Sequence, residues 1–200
     1  MSGQKWTPPI QIPGWFGTQN HGGGIAAADI GNDGRLDLIV FHIDSPGGGN
    51  NGFFRIGRAL NLGGAVTGGW IDPIQIPGWF GTLTQGAGIA AADLKQIGRT
   101  DLIVYHIDHT GGGNNAYYRI GWNVDVNGQV VGGWTDPIRI PGWFGTETQG
   151  GGIAVANLNG NKWLELVALN IDHPSGGNAG FHRVIYDIMS DGHPARWSIA

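Results

Sequence analysis

Short apolar runs alternate with glycine-rich polar segments along the whole chain, four runs in each of three successive stretches. In the first stretch they are IAAAD (25–29), LDLIVFHI (36–43), FFRIGRAL (53–60) and WIDPIQIP (70–77). Runs of this length, bounded by Gly, Asn, Asp and Pro, predict strands joined by hairpins, and no segment carries a capped 3.6-residue stripe that would predict a helix. LIVF in the second run is apolar on both faces, which predicts a central strand covered on both sides. Pro73 and Pro77 cannot donate ladder hydrogen bonds, so the fourth run predicts a strand that lies at a sheet edge or turns away from the sheet.

The same pattern returns every 64 residues. GGGIAAADIGNDGRLDLIVFHID (22–44) aligns without gaps to GAGIAAADLKQIGRTDLIVYHID (86–108) and to GGIAVANLNGNKWLELVALNID (151–172). IPGWFG stands at 12–17, 76–81 and 140–145. KWTPPIQIPG at the start of the chain and ARWSIA at its end both resemble the fourth run. The expectation is an all-β fold and a single repeat domain over residues 1–200, with units at about 6–69, 70–133 and 134–200. Each unit is a four-stranded antiparallel sheet, propeller-blade-like, that buries its faces against its neighbours. Three blades are too few to close a ring, so a homo-oligomer, a dimer with six blades, is expected. A longer array of which this is a fragment, or a β-trefoil or β-prism with internal three-fold symmetry, are the alternatives.

The segment AADIGNDGRLDLIV resembles the aspartate loop of FG-GAP or VCBS repeats, an acidic D-x-[DN]-x-D-G-x-x-D loop leading into an apolar strand. The resemblance extends over nearly the whole chain as repeats, and its loop motif is well formed in the first copy. It implies β-propeller blades.

Composition narrows the function classes. With 39 glycines and only 13% charged residues, yet 40% hydrophobic residues and nine tryptophans, the chain is glycine-rich but built to fold. A net charge of −4 and a pI near 5.9 provide no basic field for nucleic acid. The absence of cysteine removes disulfides and thiol nucleophiles. MSGQKWTPPIQ has no apolar signal-peptide core and no run is long enough to span a bilayer, so the chain reads as soluble with no membrane insertion, and an extracellular site would need a leader removed or unused.

Three features carry candidate chemistry. In IPGWFG, proline presets φ and the glycines permit a sharp turn, while the WF pair is either a plug between neighbouring units or, through Trp15, Trp79 and Trp143, a stacking surface for a sugar ring. In the first aspartate loop, Asp29, Asp33 and Asp37 place oxygens at alternating positions around Gly34, the pattern a calcium ion requires. The second copy reads Asp93, Lys95, Ile97 and Asp101, with an ammonium about where the metal charge should be, and the third reads Asn157, Asn159, Asn161 and Glu165. Asx-turns would give all three loops the same shape with no metal.

The third feature is polar. The second strand ends in His42 and Asp44, His106 and Asp108, or Asn170 and Asp172, and eleven residues after each aspartate comes Arg55, Arg119 or Arg183. The arginine is expected to fall opposite the histidine or aspartate and to form a bidentate pair, with Asn50, Asn114 and Asn178 in the adjoining loop. Such a cluster either pins the hairpin or binds sugar hydroxyls, and three copies would add avidity. No positioned nucleophile or pair of carboxylic acids recurs, so catalysis is not expected. The reading is a multivalent, lectin-like module with a glycan or glycoprotein partner. The alternative is a protein-interaction or adhesion scaffold, for which a toxin-associated targeting domain is one form.

Overall fold

The computed structural model describes residues 7–14, 22–44, 51–78, 80, 86–108, 115–142, 144, 150–172 and 179–197, with the backbone alone for Asp44, Asp108 and Asp172. Every regular element among them is a strand. The first sheet contains β1 (Gly23–Ala28), β2 (Asp37–Asp44), β3 (Asn51–Gly57) and β4 (Ile74–Ile76). The second contains β5 (Ala87–Ala92), β6 (Asp101–Asp108), β7 (Asn115–Gly121) and β8 (Ile138–Ile140). The third contains β9 (Gly151–Ala156), β10 (Glu165–Asp172), β11 (Ala179–Ile188) and β12 (Pro194–Trp197). In each sheet the strands lie side by side in chain order and pair antiparallel. The expected all-β fold of three four-stranded repeats is the observed one.

The second run of each repeat becomes an inner strand, as its two apolar faces require, and the proline-flanked fourth run becomes the short edge strand β4 or β8. Trp70 and Trp134 extend that edge through single bridges to Gly57 and Gly121.

The sheets form a row, packed through their first strands, β1 on β5 and β5 on β9. Backbones approach closely there. A Cβ on Gly24 would stand 2.7 Å from the Ile89 nitrogen, and one on Gly88 would stand 2.9 Å from the Ile153 nitrogen, so only glycine allows this spacing. Between the first and second sheets lies a core built on Phe41, Phe54, Ile76, Phe80, Ile89 and Leu102, and between the second and third lies one built on Tyr105, Tyr118, Ile140, Phe144 and Leu166. Each such side chain, removed from water, stabilises the fold by about 1.5–3 kcal/mol.

The last acidic residue of each aspartate loop ties the loop down. Asp37 accepts from the amides of Ile30 (3.3 Å) and Ala59 (2.9 Å), and Asp101 accepts from Leu94 (3.1 Å) and Asn123 (2.7 Å). Glu165 accepts from Leu158 (2.7 Å) in the third copy.

Candidate binding site at the sheet junctions

Hairpin register decides which polar groups meet. Asp44 faces Asn51, His42 faces Phe53 and Val40 faces Arg55. The second sheet repeats this with Asp108 and Asn115, His106 and Tyr117, Val104 and Arg119, and the third places Ala168 opposite Arg183. The expected pairing of arginine with histidine or aspartate is therefore corrected. The hairpin loop closes between Asp44 and Asn51, which sets Arg55 four positions away from Asp44, about 13 Å at the rise of a strand. Histidine and arginine do share one face of the sheet, because His42 lies two positions from Val40, which faces Arg55, and His106 lies likewise from Val104, which faces Arg119.

Each arginine turns instead to the Ile-Pro-Gly turn that precedes its sheet. Arg55 donates from Nη1 to the Pro13 carbonyl, and Arg119 donates from Nη1 to the Pro77 carbonyl. A Cβ on Gly142 would stand 2.6 Å from Arg183 Nη1, so the third arginine lies on its turn in the same way. Gly14, Gly78 and Gly142 hold φ of 105°, 103° and 109°, a conformation open to glycine, which also leaves room for the guanidinium.

Of the two aromatics that follow, phenylalanine is the plug. Phe80 is fully buried, 5.8 Å from the Phe41 ring of the first sheet and 5.0 Å from the His106 ring of the second, with the Arg119 guanidinium 5.7 Å above it. Phe144 repeats the arrangement between Tyr105 (6.4 Å) and Arg183 (4.8 Å). Trp15, Trp79 and Trp143, together with Asn50, Asn114 and Asn178, lie outside the described residues.

His42, His106 and Asn170 occupy equivalent positions and are all buried. The rings of His42 and His106 stack on Phe53 (5.7 Å) and Tyr117 (5.8 Å). Among the described residues, neither nitrogen of His106 has a hydrogen-bond partner, nor does the side-chain amide of Asn170. Burial, with a smaller contribution from the Arg119 charge, pushes His106 down to about 3, so its imidazole is neutral. A buried polar group without a partner costs about 1–3 kcal/mol. Two successive repeats carry that cost at one position, beside the arginine and the turn.

The aspartate loops are organised differently. Asp29 accepts from the amides of Asp33 (3.0 Å) and Gly34 (2.8 Å), and Asp33 accepts from the Arg35 amide (3.0 Å) and binds its guanidinium at 2.5 Å. Those bonds to Arg35 hold the Asp33 carboxyl below the usual range. Asp29 and Asp33 thus hold a local turn through backbone amides while Asp37 is engaged by Ile30 and Ala59, so the three carboxylates do not converge. Among the described residues, no group of three His, Cys, Asp or Glu side chains is placed to hold a metal ion. Asp93 builds the same turn, accepting from the amides of Ile97 (3.0 Å) and Gly98 (2.6 Å), whereas Asn157 accepts from the nearer amide of Gly160 (2.7 Å) and donates to the Asn161 carbonyl (2.6 Å). Lys95 does not occupy the centre of its loop, because its ammonium lies 3.8 Å from the centre of the Trp122 ring.

The sequence left the arginine–turn contact unseen. The signal was nonetheless present, since Pro-Gly and Arg recur in the same 64-residue phase.

No protein-family model and no curated protein matches the sequence. Two solved structures of AofleA from Arthrobotrys oligospora, one carrying three arginine-to-alanine replacements, resemble the fold with a TM-score of 0.61 at 12% and 13% identity. The match covers 98% of this chain and 46% of those, so the chain spans less than half the length of the proteins it resembles in fold.

Proposed function

We propose that the chain is a non-catalytic binding module, lectin-like in its logic, that takes a glycan or glycoprotein ligand at the junctions between its sheets. The observation that carries this reading is the recurrence of buried polar groups without partners, at His106 and Asn170, on the face that also holds the arginine. Sugar hydroxyls both donate and accept, which suits a neutral imidazole and an amide. The apolar face of a pyranose suits neighbouring aromatics. Single sites of this kind are weak, and repetition supplies avidity.

A protein-interaction scaffold is the second reading, favoured by the use of Arg55 and Arg119 to hold proline carbonyls. Glycan-array binding by wild type and His106→Phe separates the two. Phenylalanine keeps the ring and removes the nitrogens, so the first reading expects glycan binding to fall while melting temperature holds or rises. A wild type that binds no glycan, or a variant that binds as well as wild type, moves the weight to the scaffold.

Calcium is proposed for the first loop alone, where Asp29, Asp33 and Asp37 supply three carboxylates that would have to release Arg35 and backbone amides to receive an ion.

A further inference from the structure

The two ends of the row of sheets are complementary. In the first sheet, Gly52, Phe53 and Phe54 of β3 pair with Ile76, Gln75 and Ile74 of β4, and β7 pairs with β8 in the same register. The equivalent stretch of β11 is Gly180, Phe181 and His182. Strand β12 reaches only Ile185, Tyr186 and Ile188, so among the described residues nothing pairs with that stretch. Phe181 is 47% exposed there, and a Cβ on Gly180 would meet nothing within 4 Å, whereas one on Gly52 would meet Phe80 at 2.8 Å.

A strand that fits this edge exists at the other end of the chain. Ile10-Gln11-Ile12 is identical in sequence to Ile74-Gln75-Ile76 and is followed by the same Pro-Gly turn. It belongs to no sheet, yet it is already held against the first sheet as β4 is held against the second. Arg55 binds Pro13 as Arg119 binds Pro77, and Ile10 lies over Gly64 as Ile74 lies over Gly128. Ile10, Ile12, Ile25, Leu38, Val66 and Trp70 line an open apolar groove. Their counterparts Ile74, Ile76, Ile89, Leu102, Val130 and Trp134 belong to the core between the first and second sheets.

Exposure marks the same two ends. Ile25 is 60% exposed where Ile89 is 3%, and Leu169 is 45% exposed where Tyr105 is 0%. Among the described residues, no sheet packs on the outer face of the first sheet or on that of the third. The donor segment and the vacant edge lie at opposite ends of the row, so one chain cannot bring them together without abandoning its packing.

We propose that two copies of this chain close a ring of six sheets by exchanging edge strands, with Ile10–Ile12 of each copy completing the third sheet of the other. In the repeat's own register, Ile12 pairs with the partner subunit's Gly180, Gln11 with the partner subunit's Phe181, and Ile10 with the partner subunit's His182. The exchange supplies backbone partners to an exposed edge and covers both apolar ends at once.

Sedimentation equilibrium of the full chain tests the assembly, with an expected mass twice the 21.1 kDa of one chain. Two variants are expected to halve that mass while keeping a β-sheet circular dichroism spectrum. One is Ile10→Lys with Ile12→Lys. The other is Gly152→Val, since a side chain at Gly152 meets nothing within 4 Å in one copy but would strike the partner's backbone as Gly88 would strike Gly152. A wild type at monomer mass at every concentration, a mass above the dimer, or folded variants that keep the dimer would overturn the proposal. The strand assignment is tested by mixing Gln11→Cys with Phe181→Cys copies in this cysteine-free chain. A disulfide formed only in the mixture supports it; no mixed disulfide in a dimeric sample, where Phe53→Cys with Gln75→Cys does close within one chain, removes it.

Discussion

Single residues hold this fold at positions where a backbone group would otherwise be stranded. Among the described residues, Asp101 is the sole acceptor for the amides of Leu94 and Asn123, inside a buried corner between loop and strand. Replacing it with alanine leaves both amides without that acceptor and should cost about 2–5 kcal/mol, read as a shift in urea midpoint. A midpoint unchanged within error would show that water takes over both bonds. His106 makes stability depend on pH. Its folded value, lowered to about 3 by burial, lies below the 6.5 of an exposed histidine, so the unfolded chain takes up a proton that the fold refuses. That stability is complete above pH 6.5 and is lost as pH falls from 6.5 toward 3. Wild type should therefore lose more stability than His106→Phe between neutral and mildly acid pH, and equal losses in the two proteins would contradict the assignment. At the first loop, calorimetric titration of wild type and Asp33→Ala with calcium decides the metal proposal: heat that disappears in the variant supports it, and identical curves end it.

At the scale of elements, spacing between first strands governs how the sheets pack. Gly88→Ala puts a methyl 2.9 Å from the Ile153 nitrogen and 3.0 Å from the Gly152 Cα, both backbone, so the second and third sheets must separate. The expected loss is about 1–3 kcal/mol in thermal unfolding. Unaltered melting would mean that the sheets slide past one another with little resistance. Repetition made these elements legible: three runs of the same pattern in one phase predicted the strands, their order and the edge position of the proline-flanked run. Register was not legible in the same way. Eleven residues separate Asp44 from Arg55, but the number taken by the hairpin loop decides what Arg55 faces, and glycine-rich loops allow several lengths.

For the whole molecule, the open row of sheets makes stability and association one problem. If the apolar ends are covered by a second copy, folding is linked to protein concentration, and melting temperature should rise with concentration in wild type and stay flat in Gly152→Val. A concentration-independent wild type would show that the ends are stable in water. The two junction sites in one chain also become a larger array in a ring, and a surface coated with glycan should then retain wild type longer than Gly152→Val.

The amino-acid pattern by itself determined the all-β class, the three units and the edge strands, because strand formation depends on local alternation, glycine and proline, all of which repeat in phase. It left open whether the WF pairs plug the junctions or offer a stacking surface. Only the tertiary structure decided that Phe80 and Phe144 are the plugs, that Arg55 and Arg119 hold proline carbonyls rather than aspartates, and that Ile10–Ile12 lies apart from the edge it matches. Those outcomes follow from which sheet lies against which, a relation between residues far apart in the chain, 42 positions for each of these two arginines and its proline, that local pattern does not encode.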